Sequence, residues 1–337
     1  MFKALTILTS LYSTSPRARA LNITITQPNV PFAPDSLPPP GSSSHFEDII
    51  SQFVDLGRST RWNLVEKVKF EGDTFEPEGL VRLGHDRYFV SAGEYTEPTV
   101  RYNDGVIING TDRTAGAGFG HMIVFDGQGR RIVDATITEY HNGGLDYDGT
   151  YIWATLSQYR PNSTATLVRM RPDTLQPEPM LHMADHMGAV VHDLSKGDLV
   201  TLNWGSRNGS LWDSNEDDTR PVVSPAFITP RKVVKNPSQY TDYQDCKFLG
   251  HSRLYEHRPV MLCSGITTIY GTTIGGMALV DMGSMLPLYE IPLTMVSDLG
   301  TLVTNPMDVA VVDGKMRLYF LPDEMESTLY VYEAASA

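Results

Sequence analysis

The residues of this chain that could do chemistry occur in small polar groups, each placed just before an apolar stretch. The most distinctive group opens the segment His141-Asn-Gly-Gly-Leu-Asp-Tyr-Asp-Gly149. Carboxylates, imidazoles, phenols and amides around one pocket suit proton transfer and hydrogen bonding to a ligand oxygen. The same oxygens could instead hold a calcium ion. Comparable groups precede four other apolar stretches: Glu76 and Glu78; Asp185 and His186; Tyr240, Asp242 and Tyr243; Thr304 and Asn305.

Individual roles follow from the chemistry of each side chain. We assign proton transfer to Glu78, His141, His186, Asp242 and Tyr243. Substrate contacts are assigned to Glu76, Asn142, Arg160, Met187, Trp204, Tyr240, Asn305 and Met307. The methionines would form adaptable apolar walls, and the tryptophan a flat one. Each assignment has a structural alternative, because such residues also pair with neighbouring backbone, form ion pairs between sheets or fill the core.

The segment from His141 to Gly149 has a mainly structural interpretation. Its two consecutive glycines would let the backbone enter a crowded region, and Asp148-Gly149 is a typical hairpin turn. Asp146 and Asp148 resemble part of a calcium loop but lack its remaining ligands, so we predict no metal site. The sequence contains no G-x-S-x-G, Walker, G-x-G-x-x-G or H-E-x-x-H motif, and we predict no cofactor.

A weak internal repeat indicates where the polar groups must lie. Each copy contains an apolar strand, a polar turn and a second strand rich in β-branched and aromatic residues. Further strand pairs between the copies give four strands in roughly 45–65 residues, which is typical of a propeller blade. The five copies begin near Pro77, Gly143, Gly188, Tyr243 and Met307.

The two ends of the chain are predicted to meet in one blade. The last copy supplies only three strands, and the segment 62–68 near the N-terminus can supply the fourth, which closes the ring and removes sheet edges. We therefore predict an all-β fold, a single β-propeller of five blades, with six blades left open and a pair of β-sandwiches as the rival. Because innermost strands begin at the central channel of a propeller, the polar groups should converge there.

Composition excludes several classes of function. The 337 residues include 27 Lys plus Arg and 40 Asp plus Glu, a net charge of −13. This charge argues against binding nucleic acid through a basic face and against docking on an anionic membrane. Hydrophobic residues make up 41% of the chain, enough for a large core. No apolar run reaches the ~18–20 residues that span a bilayer.

The N-terminal region indicates a secreted protein. Residues 1–20 combine Lys3, a short apolar stretch and the small-x-small pattern Ala18-Arg19-Ala20, as in a signal peptide. A disordered leader is the alternative. Residues 21–45 are rich in Pro and Ser and predict a poorly ordered linker before a folded domain at 46–337.

Candidate modification sites suggest the same compartment. Cys246 and Cys263 flank a turn-like segment and could lie side by side on neighbouring strands. We predict a disulfide between them in an oxidising compartment, with two buried thiols as the alternative. The expected location is the secretory pathway or the extracellular space. Four Asn-x-Ser/Thr sequons are candidate glycosylation sites, at Asn22, Asn109, Asn162 and Asn208.

Several motifs within residues 60–335 also resemble a known family. They read HNGGLDYDGTYIW, QYRPNS, ADHMGAVVHD and NWGSR. They resemble a family of secreted fungal and bacterial proteins and, within it, the fungal hetero-Diels–Alderases of tropolone–sesquiterpenoid biosynthesis. The resemblance implies a pericyclase without a cofactor. A hydroxymethyl tropolone would lose water to give an ortho-quinone methide, which would add to an alkene of a humulene-type ring.

The resemblance therefore implies two small hydrophobic substrates as partners. It leaves the oligomeric state open. Two other functions remain alternatives at this point. One is a calcium-dependent propeller hydrolase or lactonase, and the other is a non-catalytic propeller that binds a ligand.

Overall fold

The computed structural model describes residues 20–213, 228–238 and 240–335. Helices are short in this part of the chain. Helix α1 spans Gly41–Ser44 and α2 spans Phe46–Val54. Three 3₁₀ turns cover Asn103–Gly105, Trp204–Ser206 and Arg253–Tyr255.

Strands make up about half of the described chain. Those before residue 140 are β1 (Ala20–Ile25), β2 (Trp62–Lys69), β3 (Glu76–Leu83), β4 (Arg87–Glu97), β5 (Ala117–Asp126) and β6 (Arg131–Ile137). The middle strands are β7 (His141–Asn142), β8 (Asp146–Tyr147), β9 (Ile152–Ser157), β10 (Ala165–Met170), β11 (Pro177–Met183), β12 (Ala189–His192), β13 (Leu199–Leu202), β14 (Asn208–Trp212) and β15 (Lys232–Lys235). The last are β16 (Asp242–Ser252), β17 (Arg258–Ile269), β18 (Thr272–Asp281), β19 (Pro287–Leu293), β20 (Met307–Val312), β21 (Lys315–Phe320) and β22 (Thr328–Ala334).

The strands form five antiparallel sheets, named here blades 1 to 5 in chain order. From the channel outward their strands are β3-β4-β5-β6-β1, β7-β9-β10-β11 with β8 also on β9, β12-β13-β14-β15, β16-β17-β18-β19, and β20-β21-β22-β2. Strand β2 pairs with β22 and so closes the ring. The predicted all-β, five-bladed propeller is confirmed, and the six-bladed and sandwich alternatives are wrong.

Local sequence and packing explain these blades. Between β20 and β21, Asp313 and Gly314 have φ of 52° and 75°, the positive pair that a tight type I′ turn requires. Strand β9 is buried along its whole length because neighbouring blades cover both of its faces. The apolar core lies between adjacent blades: Phe70 of the last blade packs with Leu80 and Val90 of the first.

The two consecutive glycines after β7 lie where the chain is most crowded. A Cβ on Gly143 would lie 2.3 Å from the carbonyl oxygen of Gly188. A Cβ on Gly144 would lie 2.8 Å from Oδ1 of Asp245. The structure therefore supports the structural interpretation of this segment, since no larger side chain fits without moving backbone.

Three buried aspartates and one lysine tie the blades together inside the channel. Asp146, Asp245 and Asp308 each accept a hydrogen bond from a backbone N–H of another blade. Lys247 Nζ lies 2.7 Å from Oδ2 of Asp245, and both side chains are buried. Burial raises the pKa of Asp146 and Asp245 to about 7 and also raises the pKa of Asp308. The ring is thus held at its axis by charge and hydrogen bonds as well as by apolar packing.

Residues 21–45, predicted to be a poorly ordered linker, are packed against the propeller. Strand β1 pairs with β6 and adds a fifth strand to blade 1. The hydroxyl of Tyr147 donates a hydrogen bond to the Pro38 carbonyl at 3.0 Å. Helix α1 and Pro40 border a small cavity of about 10 Å³ next to Lys247, so this segment closes one end of the channel. Folded structure therefore begins before residue 46.

Residues 21–45 pack on the propeller because blade 1 has a free sheet edge with which β1 can pair. A proline-rich segment also has few backbone N–H groups that need partners where it crosses the ends of the blades.

The predicted leader at residues 1–20 lies outside the described residues except for Ala20. Three of the candidate glycosylation residues, Asn22, Asn109 and Asn162, are exposed, and Asn208 is half-buried. Among the described residues, no helix is both long and apolar enough to cross a membrane.

The predicted disulfide is present. Cys246 of β16 and Cys263 of β17 face each other across the sheet and are bonded, 17 residues apart in sequence. Both are fully buried in the core. The bond is compatible with a secreted protein.

Replacing both cysteines by alanine is expected to lower the free energy of unfolding by about 2–3 kcal/mol, because the bond restrains a short loop of the unfolded chain. Urea denaturation of the double variant and of the unreduced wild type measures the difference. Wild type unfolded in the presence of dithiothreitol should behave like the variant. An unchanged midpoint in both comparisons would contradict a stabilising role for the bond.

Candidate functional site

A cavity of about 270 Å³ lies at the end of the channel where the innermost strands begin. All five blades contribute to its wall. The lining residues are Glu76, Glu78, His141, Tyr159, His186, Gly188, Asn203, Trp204, Gly205, Asp242, Tyr243, Gln244, Ile266, Thr304, Asn305 and Glu324. The polar groups that are far apart in sequence therefore meet here, as the propeller geometry requires.

The structure places most of the sequence-predicted site residues in this cavity. All five assigned to proton transfer line it, together with three of those assigned to substrate contacts. The eight are Glu76, Glu78, His141, His186, Trp204, Asp242, Tyr243 and Asn305.

Three other predicted substrate contacts point away from the cavity. The amide of Asn142 is buried and donates a hydrogen bond to a backbone carbonyl of β5. Met187 and Met307 are buried in the apolar clusters between blades. These three assignments are not supported, because each of these residues follows a cavity-facing or loop residue and turns toward the blade interior.

Two further predicted contacts lie outside the lining. Arg160 donates two hydrogen bonds to the side chain of Gln158 in its own loop. Tyr240 is 40% exposed and lies beside Gly276 of β18. Neither residue reaches the cavity in this structure.

Sequence reasoning missed several lining residues. Tyr159 and Asn203 follow the second strands of blades 2 and 3, in the motifs QYRPNS and NWGSR that also contain Arg160 and Trp204. Ile266 is near the end of β17. Glu324 lies in the loop after β21, and no sequence pattern marks it. Loops at the ends of second strands reach the same end of the channel as the starts of the innermost strands, so their residues are candidates as well.

Glu78 and His141 form a buried pair in the cavity wall. Oε1 of Glu78 lies 3.5 Å from Nδ1 of His141, and the side chains are 10% and 4% exposed. Among the described residues, that nitrogen has no hydrogen-bond partner. Burial raises the pKa of Glu78 well above its ordinary value, and the charges of Glu76 and Glu324 add to this. Burial lowers the pKa of His141 well below its ordinary value. Burial therefore favours the uncharged form of both groups, a carboxylic acid beside a neutral imidazole.

A second neutral imidazole stacks on the first. The ring of His186 lies 4.8 Å from that of His141, nearly parallel. Its Nδ1 lies 2.9 Å from the carbonyl oxygen of Gln158, which can only accept, so Nδ1 carries the proton. Burial lowers the pKa of His186 to about 4. Its Nε2 is therefore a hydrogen-bond acceptor at neutral pH.

Aromatic side chains continue this wall. Tyr159 contacts His141 and Trp204, with ring centres 5.1 and 5.0 Å apart. Trp204 also meets His186 edge to face at 5.0 Å. Across the mouth, the guanidinium of Arg113 lies 4.5 Å from the Trp204 ring centre. A flat ligand could therefore lie against a rigid aromatic surface.

Asp242 differs from the other acids. It is half exposed and ion-paired with Arg207, and the pair links blades 3 and 4. This matches the alternative in which an arginine pairs with an acid between sheets. The charge-assisted contact therefore joins two blades at the cavity wall.

No metal-binding geometry is seen in the described ranges, where no group of three or more His, Cys, Asp or Glu side chains could hold an ion. A wider groove of about 740 Å³ lies elsewhere, between the end of α2 and blade 5. Its acid Glu333 is already paired with Arg317 and Lys315. The 270 Å³ cavity is therefore the better candidate site.

Comparison with known proteins places the chain in a family. Residues 37–336 match the model of the family of unknown function DUF6454. The chain belongs to this family. The sequence of this DUF6454 protein matches none of the curated proteins.

Solved structures similar to this DUF6454 protein have low sequence identity. One is MPT-4, a mannose phosphorylase from Leishmania mexicana in complex with phosphate ion, with 11% identity, TM-score 0.43 and coverage of 86% of this chain and 93% of that one. A bifunctional GH43-CE protein from Bacteroides eggerthii has 8% identity and TM-score 0.44, covering 79% and 34%. Raptor from Chaetomium thermophilum has 10% identity and TM-score 0.37, covering 86% and 30%. The chain thus spans about a third of the last two.

Proposed function

We propose that this DUF6454 protein is a pericyclase that needs no cofactor. It would dehydrate a hydroxymethyl tropolone to an ortho-quinone methide and join this to an alkene of a humulene-type sesquiterpene by an inverse-demand hetero-Diels–Alder reaction. The observation that carries the proposal is the buried pair of Glu78 and His141, an acid and a base held 3.5 Å apart in one cavity wall.

The dehydration step uses both members of the pair. The carboxyl of Glu78 gives its proton to the hydroxymethyl oxygen, and the C–O bond breaks with its electrons as water leaves. His141 takes the proton of the ring hydroxyl, which leaves the neutral quinone methide. The imidazolium then returns its proton to the carboxylate, so the pair is reset without an outside reagent.

The cycloaddition step needs orientation rather than a further catalytic group. The Nε2 atom of His186 can accept a hydrogen bond from a ring hydroxyl, and Trp204 and Tyr159 supply a flat wall. Holding both partners in one geometry can supply about 7–11 kcal/mol in the best intramolecular models. A protected cavity also keeps water from quenching the quinone methide.

The second, apolar partner would lie at the mouth of the cavity. A volume of about 270 Å³ suits one small ring system but not two. Loops at this end of the propeller carry exposed apolar side chains, including Ile107, Ile108, Tyr270 and Leu299. These side chains offer a surface for a terpene ring. The disulfide and the exposed sequons support a proposed location in the secretory pathway or outside the cell.

Incubation with a hydroxymethyl tropolone and humulene tests the proposal. We expect the protein to raise the rate of adduct formation and to give one stereoisomer where the enzyme-free mixture gives several. The same rate and product distribution with and without protein would overturn it. Activity that is lost with a chelator would support the calcium-dependent hydrolase instead. Binding of the tropolone without turnover would support the ligand-binding alternative.

The proposal also predicts an unusual pH profile. Activity requires protonated Glu78 and neutral histidines. Since the pKa of His186 is about 4 and burial lowers that of His141, the loss of activity on the acidic side should lie at lower pH than for an ordinary histidine. Activity should fall at high pH as Glu78 ionises. Measuring kcat/KM against pH checks this, and an acidic limb near 6.5 would contradict it.

A further inference from the structure

Three carboxyl groups converge in the cavity without a basic residue in its lining. Glu76 and Glu78 come from β3, and Glu324 comes from the loop after β21 of blade 5. The described lining residues include no lysine or arginine. Arg207 and Arg113 lie nearby, but their ion pairs are with Asp242 and Asp112. The described lining therefore holds these three carboxyl groups and no lysine or arginine, which favours a positively charged ligand.

The aromatic wall of the cavity, like its carboxyl groups, favours a positively charged ligand. The faces of Trp204 and Tyr159 carry partial negative charge and attract cations, and the guanidinium of Arg113 already lies 4.5 Å from the Trp204 ring centre. The stacked imidazoles of His141 and His186 are neutral and present lone pairs rather than charge. In addition, His141 lines the cavity, and its buried Nδ1, 3.5 Å from Oε1 of Glu78, has no hydrogen-bond partner among the described residues. An N–H group of a ligand could donate hydrogen bonds to Nδ1 of His141 and to the carboxyl of Glu78.

We propose that this cavity selects a flat aromatic ligand with a positively charged carbon substituent beside its ring hydroxyl, and that Glu324 is a specificity-determining residue for that charge. An arylmethylammonium is such a ligand. The inference rests on the proposed function and deepens it. As the C–O bond of the hydroxymethyl group breaks, positive charge builds on the same carbon before the ring hydroxyl gives up its proton.

The role assigned to Glu324 is electrostatic. It lies on blade 5, which packs against blade 1, and its charge raises the pKa of both Glu76 and Glu78. A cationic ligand would reverse this effect, since its own charge favours ionised carboxyls. Binding of an ammonium should therefore release protons, whereas binding of a neutral alcohol should not.

Three probes of nearly equal size test the inference by calorimetry at pH 7: 2-hydroxybenzylamine as the cation, 2-hydroxybenzyl alcohol as the neutral ligand and salicylate as the anion. We expect the amine to bind at least tenfold more tightly than the alcohol and salicylate not to bind. The amine should release protons, measured as a heat that changes with the ionisation enthalpy of the buffer. The preference should shrink at high salt.

Glu324→Gln should reduce the ratio of amine to alcohol affinity at least threefold. Glu326→Gln is the matched control, because Glu326 lies in the same loop but is exposed and paired with Lys69. Equal binding of amine and alcohol, or binding of salicylate, would overturn the inference. Turnover of the tropolone without a preference for the amine would contradict this inference but not the proposed function. A preference for the amine without any turnover would contradict the proposed function but not the binding preference.

Discussion

Glu78→Gln is expected to lower kcat for the dehydration by about 10²–10⁴-fold, the usual contribution of a general acid. Glutamine has the same shape and can still donate a hydrogen bond, but it cannot give up a proton. Burial and the neighbouring carboxyls raise the pKa of Glu78, which favours the protonated form that the mechanism requires. The variant should also lose the high-pH limb of the rate profile. Single-turnover measurements with the hydroxymethyl tropolone would show both effects.

The matched control is Glu139→Gln. Burial also raises the pKa of Glu139, but this residue does not line the cavity, so its variant should keep wild-type activity. The His141→Ala variant should also have a lower kcat for the dehydration. Because Glu78 and His141 take part in the same proton transfer cycle, kcat of the variant with both substitutions should be no lower than that of the slower single variant. Full activity of Glu78→Gln with correct folding would remove the acid from the mechanism.

Lys247→Met is expected to cost about 3–5 kcal/mol of unfolding free energy at pH 8, because it removes one member of a buried ion pair. Nζ of Lys247 also donates to the carbonyl oxygen of Leu145, and its charge lowers the pKa of Asp146, Asp245 and Asp308. Without it, these carboxyls would have a still higher pKa in the folded protein than in the unfolded chain. Groups of this kind bind protons on folding, so the variant becomes less stable as pH rises. The loss should therefore be smaller at pH 5 than at pH 8, as measured by urea denaturation.

Lys315→Met serves as the control for this effect. Its ammonium is exposed and paired with Glu333, so the change should be within about 1 kcal/mol at either pH. A Lys247→Met variant with wild-type stability at pH 8 would show that the aspartates are held by their backbone hydrogen bonds alone. Equal losses at pH 5 and pH 8 would also contradict the electrostatic account.

The architecture could be predicted from local sequence because its signals are local. Apolar strands joined by polar turns recur in every copy of the repeat, and period-2 patterns and turn chemistry act over a few residues. The pairing of β2 with β22 followed from counting strands in the last copy. The disulfide followed from two cysteines placed symmetrically around one turn, which puts them opposite each other in the ladder.

The candidate site was only partly predictable. Residues at strand starts converge because a propeller brings its innermost strands together, and this located Glu78, His141 and His186. Which of two adjacent residues faces the cavity depends on register, since successive side chains point to opposite sides. Asn142 and Met187 directly follow cavity residues and turn toward the blades.

The sequence by itself determined the all-β repeat, the closure of the ring by the N-terminal strand and most of the polar residues from which the site is drawn, and it favoured five blades over six and a disulfide over two thiols. Only the tertiary structure decided that residues 21–45 pack on the propeller, and that Glu324 joins two acids of another blade. Both depend on contacts between segments far apart in sequence. A proline-rich segment does not encode the surface it will cover, and a loop carboxyl does not encode which charges it will face.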